Sequence, residues 1–246
     1  MKKIIGLMFA LSLASCQKNT SDKLLELNNV TMPSFEQIES IKNNNDTLKI
    51  LVLGNSITSH GMDKSIGWKH ESGMAASNIN KDFVHLLFKK IHTQTPQKNI
   101  IFRYSNFSEF ERDPIKLPEN SINEIAKFNP NILIYQLGDN LTIENSLIFK
   151  ESSIKLLNML TNTQTYVVSP FFQNESNFEI TNDISKESNS TFIDISLISK
   201  DPTSKAINEK DYPLKKSEWK VDGIGLHPGD IGMAKIADEI LKNMQY

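Results

Sequence analysis

The stretch LKILVLGNSITSHG, residues 48–61, decides how the rest of the chain is read. Its opening is a continuous apolar run rich in β-formers, closed by Gly54. Strict alternation of apolar and polar residues would mark a strand with one wet face, whereas a continuous run marks a strand covered on both. Ser56 stands two residues past the glycine. It is either a reactive group at the end of a strand or a small residue in a polar turn, and the segment alone does not choose.

Outward from this strand the chain alternates. KDFVHLLFKKIHTQ (81–94) spaces Phe83, Leu86, Leu87 and Ile91 at helical intervals, and NIIFRYS (99–105) reads as a second strand. A helix is expected near Ser121 to Phe128, and NPNILIYQLG (129–138) follows a proline turn as a third buried strand. Residues 145–161 form a long amphipathic helix, 164–170 and 191–196 read as strands four and five, and 230–244 close the chain as a helix capped by Asp230. Strands alternating with helices predict a parallel sheet covered on both faces. In such sheets ligands bind beyond the carboxyl ends of the strands, where the strand order reverses. Ser56 lies just past strand one and Gly138 to Asn140 just past strand three, so both open onto one edge.

The 246 residues suit one α/β domain, with 39% hydrophobic residues for its core. A net charge of -2 supplies no basic field to attract nucleic acid. Lys2 and Lys3 precede an apolar stretch from Ile4 to Leu13, followed by small residues, which is the order of a secretory signal too short to span a bilayer. The single cysteine, Cys16, sits directly after Leu13-Ala14-Ser15, which resembles a bacterial lipobox. That resemblance implies a signal peptide over 1–15, lipid on Cys16, and anchoring to the membrane of the cell envelope. Gln17 stands where an aspartate would favour retention at the inner membrane, so the outer membrane is expected. Residues 16–47 read as a polar tether with a short helix around Phe35 to Lys42, leaving 48–246 as the functional domain.

A serine hydroxyl becomes nucleophilic only when a base takes its proton, and acyl chemistry needs donors aimed at the oxyanion. GNS after strand one supplies Ser56, GDN after strand three supplies Asn140, and DGIGLHPGD before the last helix supplies His227 with Asp222 nearby. Three such blocks in this order, at these strand ends, resemble the SGNH (GDSL-type) hydrolases over about Leu48 to Met244. The resemblance implies a three-layer α/β/α sandwich with a flavodoxin-like sheet of five parallel strands, and ester or thioester hydrolysis without a metal or other cofactor. It assigns Ser56 as nucleophile and His227 as base. The oxyanion donors would be the Ser56 N–H, the Asn140 amide and a third-block donor at Gly138. Asn106 stands in for the second-block glycine that RYSNFSEFER lacks.

Two departures bear on mechanism. The family places its aspartate three residues before the histidine, where Ile224 stands, while Asp222 is five before. Either the GIGL segment bulges so that Asp222 reaches the imidazole, or the site is a Ser-His dyad aided by a backbone carbonyl. The second residue of the first block is Asn55, read as substrate-contacting together with Trp68 and Glu71, the latter two on a long loop, 59–77. An indole beside polar groups suits the face of a sugar ring, so Trp68 favours a glycan substrate and removal of its O-acetyl groups. Lysophospholipase or thioesterase activity, acetyl transfer between sugars, and non-catalytic glycan binding on the same scaffold are the rival readings. His85 and His92 read as packing or surface residues, and no histidine or cysteine spacing suits zinc. Phe171 and Phe172 either line a pocket or pack under a loop.

Overall fold

The structure is a computed structural model and describes residues 34–42, 46–115, 119–172 and 174–246. The signal segment, Cys16 and most of the expected tether lie outside the described residues.

Six strands form one sheet: β1 (Glu36–Ser40), β2 (Thr47–Gly54), β3 (Asn99–Asn106), β4 (Ile132–Gln136), β5 (Gln164–Val168) and β6 (Thr191–Ile193), in the order β1-β3-β2-β4-β5-β6. β2 to β6 pair in parallel, as expected, and β1 is added antiparallel to β3 at the edge. The order reverses at β2, which pairs with β3 on one side and β4 on the other, so the cleft opens beyond Gly54 and Gln136.

β2 shows why its sequence runs apolar without alternation. Ile50 and Val52 enter a cluster with Phe83, Leu87, Met233 and Ile236, whereas Leu51 and Leu53 enter another with Ile125, Phe149, Leu156 and Ile184. The first cluster belongs to helices α1 (Phe83–Gln94) and α8 (Asp230–Asn243). The second belongs to α3 (Glu119–Phe128), α4 (Ser146–Asn158) and α5 (Glu175–Glu187). Three short helices complete the set: α2 (Ser108–Arg112), α6 (Ser196–Lys200) and α7 (Gly223–Leu226).

Residues 36–40 correct the expected helix. EQIES has helical composition, but β3 would otherwise expose an unpaired edge, and β1 covers it with Ile38 opposite Phe102. Glu36 accepts from Tyr104 Oη at 2.9 Å and from Ser59 Oγ at 2.6 Å, so this strand also braces the loop after β2. The folded unit therefore begins before residue 48. Asp230 does not cap α8; the N-cap is Gly229, and the Asp230 carboxylate accepts from the Ser77 N–H and hydroxyl.

Trp68 is also corrected. Its side chain is fully buried in a third cluster with Met74, Ala75, Ala206, Tyr212 and Ile224, and its indole N–H points to the His60 carbonyl at 3.4 Å. The long loop after β2 folds around this indole, which leaves no ring face for a substrate. Trp68→Ala should lower unfolding free energy by about 3–5 kcal/mol in a denaturant titration, the penalty of truncating a buried aromatic.

Candidate active site

The turn after β2 is compact because Gly54 has no side chain: a Cβ there would lie 1.9 Å from Thr58 Oγ1. Asn55 closes the turn, its Oδ1 accepting from Ile57 N–H at 3.0 Å and its carbonyl from Thr58 N–H at 3.0 Å. Ser56 is left half-buried at the apex, and its carbonyl accepts from Met74 N–H at 2.7 Å.

Ser56 Oγ lies 3.0 Å from His227 Nε2. The ring's other nitrogen, Nδ1, lies 2.7 Å from the Gly223 carbonyl oxygen. A carbonyl can only accept, so Nδ1 carries the proton and Nε2 presents its lone pair to the serine hydroxyl. His227 is only 9% exposed. Burial pushes its pKa down to about 4, opposed by the Gly223 carbonyl and assisted by the nearby His60. The imidazole is thus neutral, and able to accept a proton, across the whole physiological range. Its position is fixed by the loop ahead of α8, where Ala206 N–H donates to the His227 carbonyl at 3.0 Å. Phe172 abuts the ring edge-on, with centroids 4.9 Å apart.

Asp222 is not the partner of this histidine. It stands at the N-cap of α7, exposed, and the short helix brings Gly223's carbonyl, not the Asp222 carboxylate, to Nδ1. Of the two arrangements the sequence allowed, the geometry is the dyad with a backbone carbonyl.

The expected oxyanion residues divide. Asn140 is half-buried beside the cleft, and its Nδ2 donates to Glu111 Oε2. Gly138 is corrected: its N–H donates to Glu111 Oε1 at 2.5 Å and is therefore unavailable to a substrate. It has φ +127°, and a Cβ would meet Thr181 Cγ2 at 2.6 Å, so its glycine serves the turn. Asn106 ends β3 next to Gly54 without the positive φ a glycine there could adopt. Its side chain is committed, donating to the Ser59 carbonyl at 2.8 Å and accepting from Ser108 N–H at 2.9 Å.

Asn55 is corrected as well. It is fully buried, with Nδ2 donating to Asp139 Oδ2 at 2.9 Å and to Glu111 Oε1 at 3.3 Å. Glu71 is exposed on the rim of a shallow depression bounded by Met62, His70 and Ile79. Phe171 packs in the core, while Phe172, whose ring meets His227 edge-on, also lines a groove of about 360 Å³ with Phe178, Asn174 and Lys200.

Sequence reasoning missed Glu111. It lies on α2, fully buried, and its carboxylate gathers the N–H groups of Gly138, Asp139, Asn140 and Asn55. Burial, and the adjacent Asp139, push its pKa up to about 7; burial raises Asp139 too. One glutamate in a short polar run looks the same as a solvated one, so only its surroundings reveal it. Among the described residues, no three His, Cys, Asp or Glu converge as metal ligands.

No family model matches the chain, and the search of curated proteins found no match. Among solved structures, it is similar to a two-domain esterase (CEX) active on acetylated mannans, with TM-score 0.52 and 18% identity over 80% of this chain. The same esterase co-crystallized with mannopentaose gives TM-score 0.52 and 16% identity. The chain spans about half the length of these neighbours, 48% and 49% respectively. At this identity, what is shared is the fold.

Proposed function

We propose that this chain is a serine ester hydrolase of the SGNH type that removes O-acetyl groups from a carbohydrate. The observation that carries the reading is the 3.0 Å contact between Ser56 Oγ and a buried, neutral His227 whose proton is held on Nδ1 by Gly223. Nε2 takes the hydroxyl proton as Ser56 Oγ attacks the ester carbonyl, and the resulting imidazolium returns it to the departing sugar oxygen. The acetyl group then sits on Ser56, and water activated by the same nitrogen releases acetate. The Ser56 N–H and the second N–H of Asn140 hold the oxyanion in both steps.

The backbone carbonyl orients the ring as a triad carboxylate would, but carries no full charge to stabilise the imidazolium. A carbohydrate substrate is supported by the fold shared with an esterase active on acetylated mannans, and by the open groove against Phe172, where a sugar ring has an aromatic face and polar groups to meet. The charged, apolar and lipobox-like order ahead of Cys16 supports a lipid-anchored protein of the cell envelope.

Acetate release from p-nitrophenyl acetate and acetylated mannan should fall at least about 10⁴-fold in Ser56→Ala, with loss of fluorophosphonate labelling. Asp222→Asn should stay within about twofold of wild type, because its carboxylate does not meet the ring; a large loss there would restore the triad. The rate dependence on pH follows from His227. Protonated imidazole cannot accept the serine proton, so activity should be extinguished as pH falls through about 4, and not near the ordinary histidine value of about 6.5.

A further inference from the structure

Behind Asn140 lies a buried carboxylate whose hydrogen-bond partners among the described residues are all donors. Glu111 Oε1 accepts from Gly138 N–H at 2.5 Å, Asp139 N–H at 3.0 Å and Asn55 Nδ2 at 3.3 Å, while Oε2 accepts from Asn140 Nδ2. Asn55 Oδ1 in turn holds Ile57 N–H, directly after Ser56. One carboxylate thereby ties the nucleophile turn after β2 to the loop after β4. The helix that bears it is pinned from the far side, with Asn145 Nδ2 donating to the Glu111 carbonyl at 2.8 Å.

We infer that Glu111 is a positioning residue that sets which way the Asn140 amide is turned. The inference rests on the proposed ester hydrolysis. A side-chain amide has two ends of nearly equal size, one donating and one accepting, and sterics alone barely distinguish them. An ionised carboxylate can only accept, so the nitrogen must face Glu111. One N–H of Asn140 is held there, and the other is left to point at the developing oxyanion. With the amide reversed, Oδ1 would face the oxyanion site instead, and the donor would be lost. Glu111 touches neither Ser56 nor the reacting atoms; it acts through Asn140.

The same geometry makes the amide sensitive to a proton on Glu111. Protonated Glu111 offers Oε2–H to Asn140 Nδ2, donor against donor, and the amide reverses. The groups facing the carboxylate are Asp139 and Gly138 from the loop after β4, Asn140, Asn55 and the neutral phenol of Tyr135 on β4, whose hydroxyl is shared with Ser153 at 2.6 Å. On its own helix, Arg112 is turned to solvent and paired with Glu109 at 3.0 Å. Asp139 is the one further carboxylate against it, and with burial it holds the Glu111 proton on into the neutral range.

The test is a double-mutant cycle on the full chain, with kcat and KM for p-nitrophenyl acetate read at pH 8.5 and melting curves recorded for each variant. Glu111→Gln places an NH₂ group against Asn140 and should lower kcat about 10- to 100-fold with KM within about twofold; Asn140→Ala should lower kcat about 10²–10³-fold. If Glu111 acts through Asn140, the double variant is no slower than Asn140→Ala. Losses that multiply, a Glu111→Gln rate equal to wild type, or a faster one, would overturn the inference. Should Glu111→Gln lose its cooperative melt, the wild type still decides: kcat should decline between pH 8.5 and 5.5 to a lower plateau, ahead of the His227 limb, and a flat profile there overturns the inference. Wild-type rates in Ser56→Ala and Asn140→Ala would instead remove the hydrolase reading itself, leaving a distinct signature.

Discussion

Both faces of β2 are dry, and that constraint runs through the whole molecule. A central strand with no wet side needs helices above and below, parallel neighbours on each flank, and crossovers that return the chain to the same edge each time. Ile50 and Val52 meet α1 and α8, while Leu51 and Leu53 meet α3, α4 and α5. The strand then stops at a glycine because Thr58 folds back to within contact of its Cα. Everything with chemical potential lies just beyond that stop: Ser56 after β2, Asn140 after β4, and His227 delivered by the segment that precedes α8.

The histidine illustrates how burial substitutes for a partner. A carboxylate at Nδ1 would draw the ring toward the charged form, whereas a backbone carbonyl fixes the tautomer with little effect on charge. With Gly223 in that place, desolvation prevails and the ring stays neutral. In the proposed reaction such a ring would be ready for the first proton transfer and less assisted once charged. Phe172 reinforces this by covering the ring edge, and its own N–H is held by Asp139 Oδ1 at 2.8 Å, which links the histidine wall to the acid cluster below the opposite wall.

That cluster is costly to keep. Two carboxylates are withdrawn from water, burial raises the pKa of both and Asp139 raises that of Glu111 further, and six donors from Asn55, Gln136, Gly138, Asp139, Asn140 and Phe172 compensate them. Buried polar groups this fully satisfied define one arrangement of the loops around them, since any slip strands a charge. The loops after β2 and β4 thereby share one scaffold, which in the proposed hydrolase would hold the site's geometry before a substrate arrives.

The sequence by itself determined the parallel α/β sheet, its central strand, and the serine, asparagine and histidine at one edge. Those features follow from local pattern: apolar runs, helical spacing and the place of glycines are visible in a few consecutive residues. It did not reveal that EQIES pairs as a strand, that Trp68 is core, or that Asn55 is buried, because each depends on a partner at least 56 residues away along the chain, such as Tyr104, Ala206 or Glu111. Only the tertiary structure decided between Asp222 and the Gly223 carbonyl. One turn of α7 sets which oxygen reaches Nδ1, and a rotation that small is fixed by packing, not by composition.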